Sequence, residues 1–72
     1  MTVDATGLRC PLPLLKAKLA LNSVEPGQCV RVLATDNGSV KDFHAFARLS
    51  GHNLLKFNES DSGYEYILQK AH

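Results

Sequence analysis

Apolar and polar positions divide the chain into six patterned stretches. Thr2 to Ala5 sets Val3 and Ala5 on one face and Asp4 on the other, predicting a short strand that Thr6-Gly7 breaks. From Pro11 to Ser23 the spacing is helical. At about 100° per residue the apolar side chains fall on two arcs, one of Leu14, Ala17 and Leu21, the other of Leu12, Leu15 and Leu19. Lys18 and Asn22 separate the arcs on one side, and Lys16 and Ala20 on the other. One helix on a small sheet cannot bury both, so one arc is expected to stay partly exposed. It is then either the margin of a wide core stripe with snorkelling lysines or a docking surface. Val24-Glu25-Pro26-Gly27 stops the helix.

Gln28 to Ala34 alternates Cys29, Arg31 and Leu33 against Val30, Val32 and Ala34, which predicts a central strand. Strand, helix and strand in this length imply a right-handed parallel crossover. In Thr35 to Ser39, Asp36 is placed to cap a helix beginning at Asn37, and Ser39 to Asp42 resembles a capping box. That helix should reach about Ser50 with an apolar face of Val40, Phe43 and Ala47, joined by Phe46 and Leu49, and end at a left-handed Gly51. His52 to Asn58 reads as a third strand with Leu54, Leu55 and Phe57. Asn58 to Gly63 reads as a polar loop, and Tyr64 to Gln69 as the second arm of an antiparallel hairpin. The order is β-α-β-α-β-β. The simplest solution is an α+β two-layer sandwich, a four-stranded mixed sheet with two helices on one face.

Size and charge narrow the chemistry. A chain of 72 residues is expected to form one domain, spanning 1–72. Folding at this length buries only about 60% of the unfolded surface, so a reaction would happen at the surface rather than in an enclosed pocket. A net charge of +1 gives no global field toward nucleic acid or membrane. Lys16, Lys18, Lys41 and Arg48 have few aromatic neighbours for base stacking, so direct nucleic-acid binding is not expected. Asp4 stands where a signal peptide carries basic residues, and no apolar run reaches the about 18 residues of a membrane span. Two cysteines are too few for a disulfide-stapled mini-protein; the expected compartment is a reducing cytoplasm. His44, His52 and His72 lack metal-ligand spacing with either cysteine, and no glycine-rich phosphate loop occurs, so neither a metal nor a cofactor is expected.

The candidate chemistry sits in Gly7-Leu8-Arg9-Cys10-Pro11-Leu12-Pro13. Gly7 belongs to the turn, and Pro11 suits the first position of the helix that follows. Cys10 therefore falls at the N-cap or beside it, at the positive end of a helix dipole, with Arg9 adjacent. Both influences favour the reactive thiolate. Pro11 and Pro13 lack N–H groups, so the lowering should be modest, and the prolines serve to stiffen the turn and hold the sulfur outward. Arg9 and Lys16, if they flank Cys10, would stabilise a sulfur anion and steer an acidic partner. Cys29 is expected to be an inert core thiol, and no Cys-x-x-Cys supplies a resolving partner.

These stretches resemble the small sulfur-carrier proteins of the TusA/SirA type. The likeness rests on Asp4 to Pro13, with its Cys-Pro-x-Pro signature, on Thr35 to Ser39 with Asp42-Phe43, and on Gly51 to Leu55, in order. It implies the same β-α-β-α-β-β sandwich. It also implies that Cys10 accepts sulfur as a persulfide from a cysteine desulfurase or a rhodanese-like donor and relays it to an acceptor protein, in tRNA thiolation or another sulfur-trafficking pathway. Such a protein is a sulfurtransferase-like carrier rather than a stand-alone enzyme. Asn37 and His44 stand where the family often has proline, and Leu12 replaces the acidic residue of some tRNA-thiolation members. Leu12, Leu15, Lys16 and Leu19 are the candidate docking residues. The alternatives are a non-catalytic interaction module that uses the leucine arc, and a redox sensor that uses Cys10 alone.

Overall fold

The alternating stretches become strands and the helically spaced ones helices. A computed structural model describes every residue from Met1 to His72. The elements are β1 (Thr2–Ala5), α1 (Leu12–Asn22), β2 (Cys29–Ala34), α2 (Gly38–Ser50), β3 (Asn53–Ser60) and β4 (Gly63–Gln69). They form one mixed sheet in the order β1-β2-β4-β3, with β1 parallel to β2 and the other pairs antiparallel. No helix is long and apolar enough to cross a membrane.

The register decides which face is buried. Val3 lies beside Val32, Val30 beside Leu68, and Val32 and Phe57 beside Tyr66. This row meets Ala17, Ala20 and Leu21 of α1 and Phe43 of α2, so both helices cover the same face. Truncating a fully buried side chain such as Leu21 costs about 2–5 kcal/mol, a large share of the roughly 5–15 kcal/mol that holds a small domain together. The two arcs of α1 separate as their spacing requires: Ala17 and Leu21 are buried, while Leu12 and Leu15 are 47% exposed and Leu19 70%.

Several expectations need correction. Cys29 is exposed, because the alternation of β2 turns Val30, Val32 and Ala34 inward and leaves Cys29 opposite Gln69 on the uncovered face. Leu49 is 80% exposed and does not join the core-facing side of α2. Leu55 is exposed too, because the pairing of β3 slips between Leu54 and Lys56 and leaves it outside the ladder. The polar loop shrinks to Asp61-Ser62, since β3 runs to Ser60 and β4 starts at Gly63. His52 is half-buried: it accepts a hydrogen bond from Ala71 N–H at 3.0 Å, and burial holds its imidazole below the usual range.

The capping chemistry at α2 also differs. Asn37 is the N-cap but makes no side-chain cap bond. Asp36, Ser39 and Asp42 are each engaged elsewhere, and those engagements build the site.

Candidate functional site

The segment between β1 and α1 is fastened at several points. Gly7 takes φ +80°, a left-handed conformation that favours glycine, and its N–H donates to Thr35 Oγ1 at 2.8 Å. Leu8 N–H donates to the Ala5 carbonyl at 3.2 Å, and the Leu8 side chain packs on the core. Leu12 N–H donates to the Arg9 carbonyl at 2.8 Å. The Cys10–Pro11 peptide is cis. Pro11 is the N-cap of α1, so Cys10 stands one residue before it, and Pro13 is buried. Pro13 thus anchors one end of the turn in the core, while Pro11 and Cys10 stay exposed.

Across the turn lies the start of α2. Asp36 Oδ2 accepts the Cys10 N–H at 2.9 Å. The Cys10 thiol donates to Asp42 Oδ2 in a short contact of 2.5 Å. Gly38 faces the same cysteine: a Cβ there would sit 3.3 Å from Cys10 Cβ and 3.8 Å from Sγ. Residues 38 and 42 are one turn apart on the helix and share a face. The next row, Ser39 and Phe43, faces the core: Ser39 and Tyr66 share a buried hydrogen bond of 2.8 Å, and the Phe43 and Tyr66 rings stack at 4.0 Å.

The electrostatics reverse one expectation. The Cys10 thiol is held above its usual range, first by the hydrogen bond it donates to Asp42, then by desolvation and by the negative charges of Asp42 and Asp36. The two carboxylates thus favour the thiol, the opposite of the thiolate that Arg9 and Lys16 would favour. The physical reason is proximity: two carboxylates lie against the cysteine, whereas the field of Lys16 acts on Asp4, whose carboxyl is lowered chiefly by hydrogen bonds from Thr6. Arg9 and Lys16 are both exposed.

Leu12, Leu15 and Leu19 form an exposed apolar row that begins two residues from Cys10. His44 is turned to Phe57, edge-on at 5.2 Å, and its Nδ1 bonds the Val40 carbonyl at 2.7 Å. No group of three or more His, Cys, Asp or Glu side chains is arranged to hold a metal ion. Asp36, Gly38 and Asp42 are the residues at the sulfur that sequence reasoning did not assign to it. Thr35 to Ser39 and Asp42-Phe43 carry part of the family likeness, but in the sequence Asp36 and Asp42 read as capping residues and Gly38 is given no role.

A family model described as Sulfurtransferase TusA matches residues 1–70. The chain is 46% identical over 69 residues to the sulfur carrier protein TusA of Allochromatium vinosum, covering 96% of this chain and 91% of that one. It is 38% identical over 69 residues to a putative sulfur carrier protein of Bacillus subtilis, covering 96% and 92%. Among solved structures, a SirA-like protein from Desulfitobacterium hafniense superposes with a TM-score of 0.78 at 32% identity, covering 94% of this chain and 92% of that one. Together with the Cys-Pro-x-Pro turn and the two-layer sheet, these likenesses establish that the chain belongs to the TusA family of sulfur carriers.

Proposed function

We propose that the protein carries sulfur as a persulfide on Cys10, taking it from a donor persulfide and passing it to the cysteine of an acceptor protein. The observation that carries this reading is the exposed Cys10 thiol, fixed by its backbone N–H at the head of an exposed leucine row. Such a carrier has to present sulfur to two different proteins in turn, so an accessible atom beside an apolar contact surface suits it better than a closed pocket. A cysteine desulfurase or rhodanese-like protein serves as donor, and tRNA thiolation is one outlet for the relayed sulfur. Leu12, Leu15, Lys16 and Leu19 supply the docking surface, and Gly7, Arg9, Pro11 and Pro13 frame the turn.

In loading, the Cys10 sulfur attacks the outer sulfur of a donor R–S–SH. The new sulfur–sulfur bond forms as the donor bond breaks, and the electron pair leaves on the donor cysteine. The net change is Cys10–SH + R–S–SH → Cys10–S–SH + R–SH, which needs no external oxidant. The acceptor repeats the exchange on the outer sulfur.

The test incubates the protein with cysteine and a cysteine desulfurase and measures intact mass without reductant. Gain of one sulfur atom, removed by reductant and absent in Cys10→Ala, is the expected result. An unchanged mass with desulfurase and rhodanese donors that load a known carrier in parallel overturns the reading.

A further inference from the structure

We infer that Asp42 is the proton acceptor for Cys10 when sulfur is loaded, a proposal that rests on the persulfide reading above. A thiol that keeps its proton is a poor nucleophile, and this one donates its proton in a hydrogen bond to a carboxylate. The oxygen that receives the thiol hydrogen bond is Asp42 Oδ2, so the acceptor is already in contact with the proton it would remove. The helix holds it there, because Phe43, the next residue, is locked in the core against Tyr66. The other carboxylate at the site, Asp36, is occupied by the Cys10 N–H and positions the backbone.

The step balances within the two proteins. As the Cys10 sulfur bonds to the outer sulfur of R–S–SH, its proton passes to Asp42. The donor bond breaks with its electron pair on the donor cysteine, and the proton passes from Asp42 to that leaving thiolate. Asp42 ends as the carboxylate it began as.

A carboxylate that only repels negative charge predicts a different mutant phenotype from one that accepts a proton. Asp42→Asn removes the charge and the basicity but keeps the side-chain size. Loss of charge alone leaves more Cys10 as thiolate, which speeds iodoacetamide alkylation and sulfur loading together. Loss of the proton acceptor speeds alkylation, which consumes whatever thiolate exists, but slows loading.

The experiment measures both rates near neutral pH, with a cysteine desulfurase as donor, in the unmodified protein and in Asp42→Asn. We expect faster alkylation together with loading slowed on the order of a hundredfold, the usual scale for a positioned acid–base group. Loading that matches or exceeds the unmodified protein overturns the proposal and leaves the carrier reading standing. Failure of the unmodified protein to load overturns both. Should Asp42→Asn not fold, a pH titration of the unmodified protein by carbon-13 NMR decides: ionisation of Cys10 must shift the Asp42 carboxyl resonance, and an Asp42 signal that ignores it overturns the proposal.

Discussion

Gly38 and Cys10 approach so closely that a Cβ on residue 38 would lie 3.3 Å from the cysteine Cβ, and 3.0 Å from the Asp36 oxygen that binds the Cys10 N–H. Gly38→Ala should therefore act on the site more than on the fold. Alanine is the better helix former by up to about 1 kcal/mol, and that gain offsets the crowding. We expect thermal stability close to that of the unmodified protein and sulfur loading slowed about tenfold, since small misplacements of reacting atoms are costly. Melting curves and loading rates measured together check this; unaltered loading would show that the close approach has no functional weight.

The buried hydrogen bond between Ser39 and Tyr66 makes a second expectation. Either Ser39→Ala or Tyr66→Phe leaves one hydroxyl buried without a partner, at about 1–3 kcal/mol. The double variant should lose less than the two single losses combined, because no polar group is then stranded. Urea denaturation of the four proteins gives the coupling, and strict additivity would contradict it.

The leucine row predicts a separation of docking from reactivity. Leu12→Asp and Leu15→Asp change half-exposed side chains, so stability should move by no more than about 0.5 kcal/mol. Loading from a donor protein should slow at least about tenfold, the scale of a contact worth roughly 1.4 kcal/mol. Iodoacetamide alkylation of Cys10 should stay as it was. Equal loading rates in the variants would remove the row from the docking surface.

Glu65 gives an acid-side prediction. It accepts a hydrogen bond from Arg31 Nε, and that contact, more than the weaker ones from Asn58 and Lys56, holds its carboxyl below the usual range. A depressed folded-state value stabilises the fold above the unfolded-state value and is lost as pH falls through the folded one. Glu65→Gln should be less stable than the unmodified protein at neutral pH, and the gap should narrow at an acid pH below the ordinary glutamate range. Denaturation at both pH values tests this; a gap of the same size at acid pH assigns the effect to packing instead.

The Cys10 thiol has the opposite sign. Its folded-state value is raised, chiefly by the bond to Asp42, so its contribution is complete below the unfolded-state value and lost as pH rises through the folded one. The alkylation rate of Cys10 should reach its half-maximum above the about 8.5 of an ordinary cysteine. Cys10→Ala should show a shallower alkaline loss of stability. A midpoint at or below that ordinary value would mean that the carboxylates do not govern the sulfur.

The sheet was legible because its strands carry period-two patterns, and Gly51 marked the end of α2 by its left-handed φ of 81°. Period two gives two faces without saying which is inward, and Cys29 shows the difficulty: its neighbour Val30 took the core. The two arcs of α1 were readable for the same reason that they separated, since helical spacing fixes which leucines travel together. In the site, Gly7, Cys10 and Pro11 were readable as local turn chemistry. Asp36 and Asp42 were not, because they reach Cys10 across 26 and 32 residues of chain. Their types suited capping equally well, and only the folded geometry assigns them to the sulfur.

Two adjacent rows of one helix, 38 with 42 and 39 with 43, serve the sulfur and the core at once. Helical geometry turns successive residues by about 100°, so inserting or deleting a single residue between Asp36 and Phe43 would rotate one row into the place of the other. A carboxylate would then be driven into the ring stack, or an apolar ring set against the cysteine. Chain length in this segment is consequently a fixed quantity. The exposed Asp61-Ser62 turn between β3 and β4 has no such constraint, and it is where linkers, tags or added loops can enter without disturbing the sulfur.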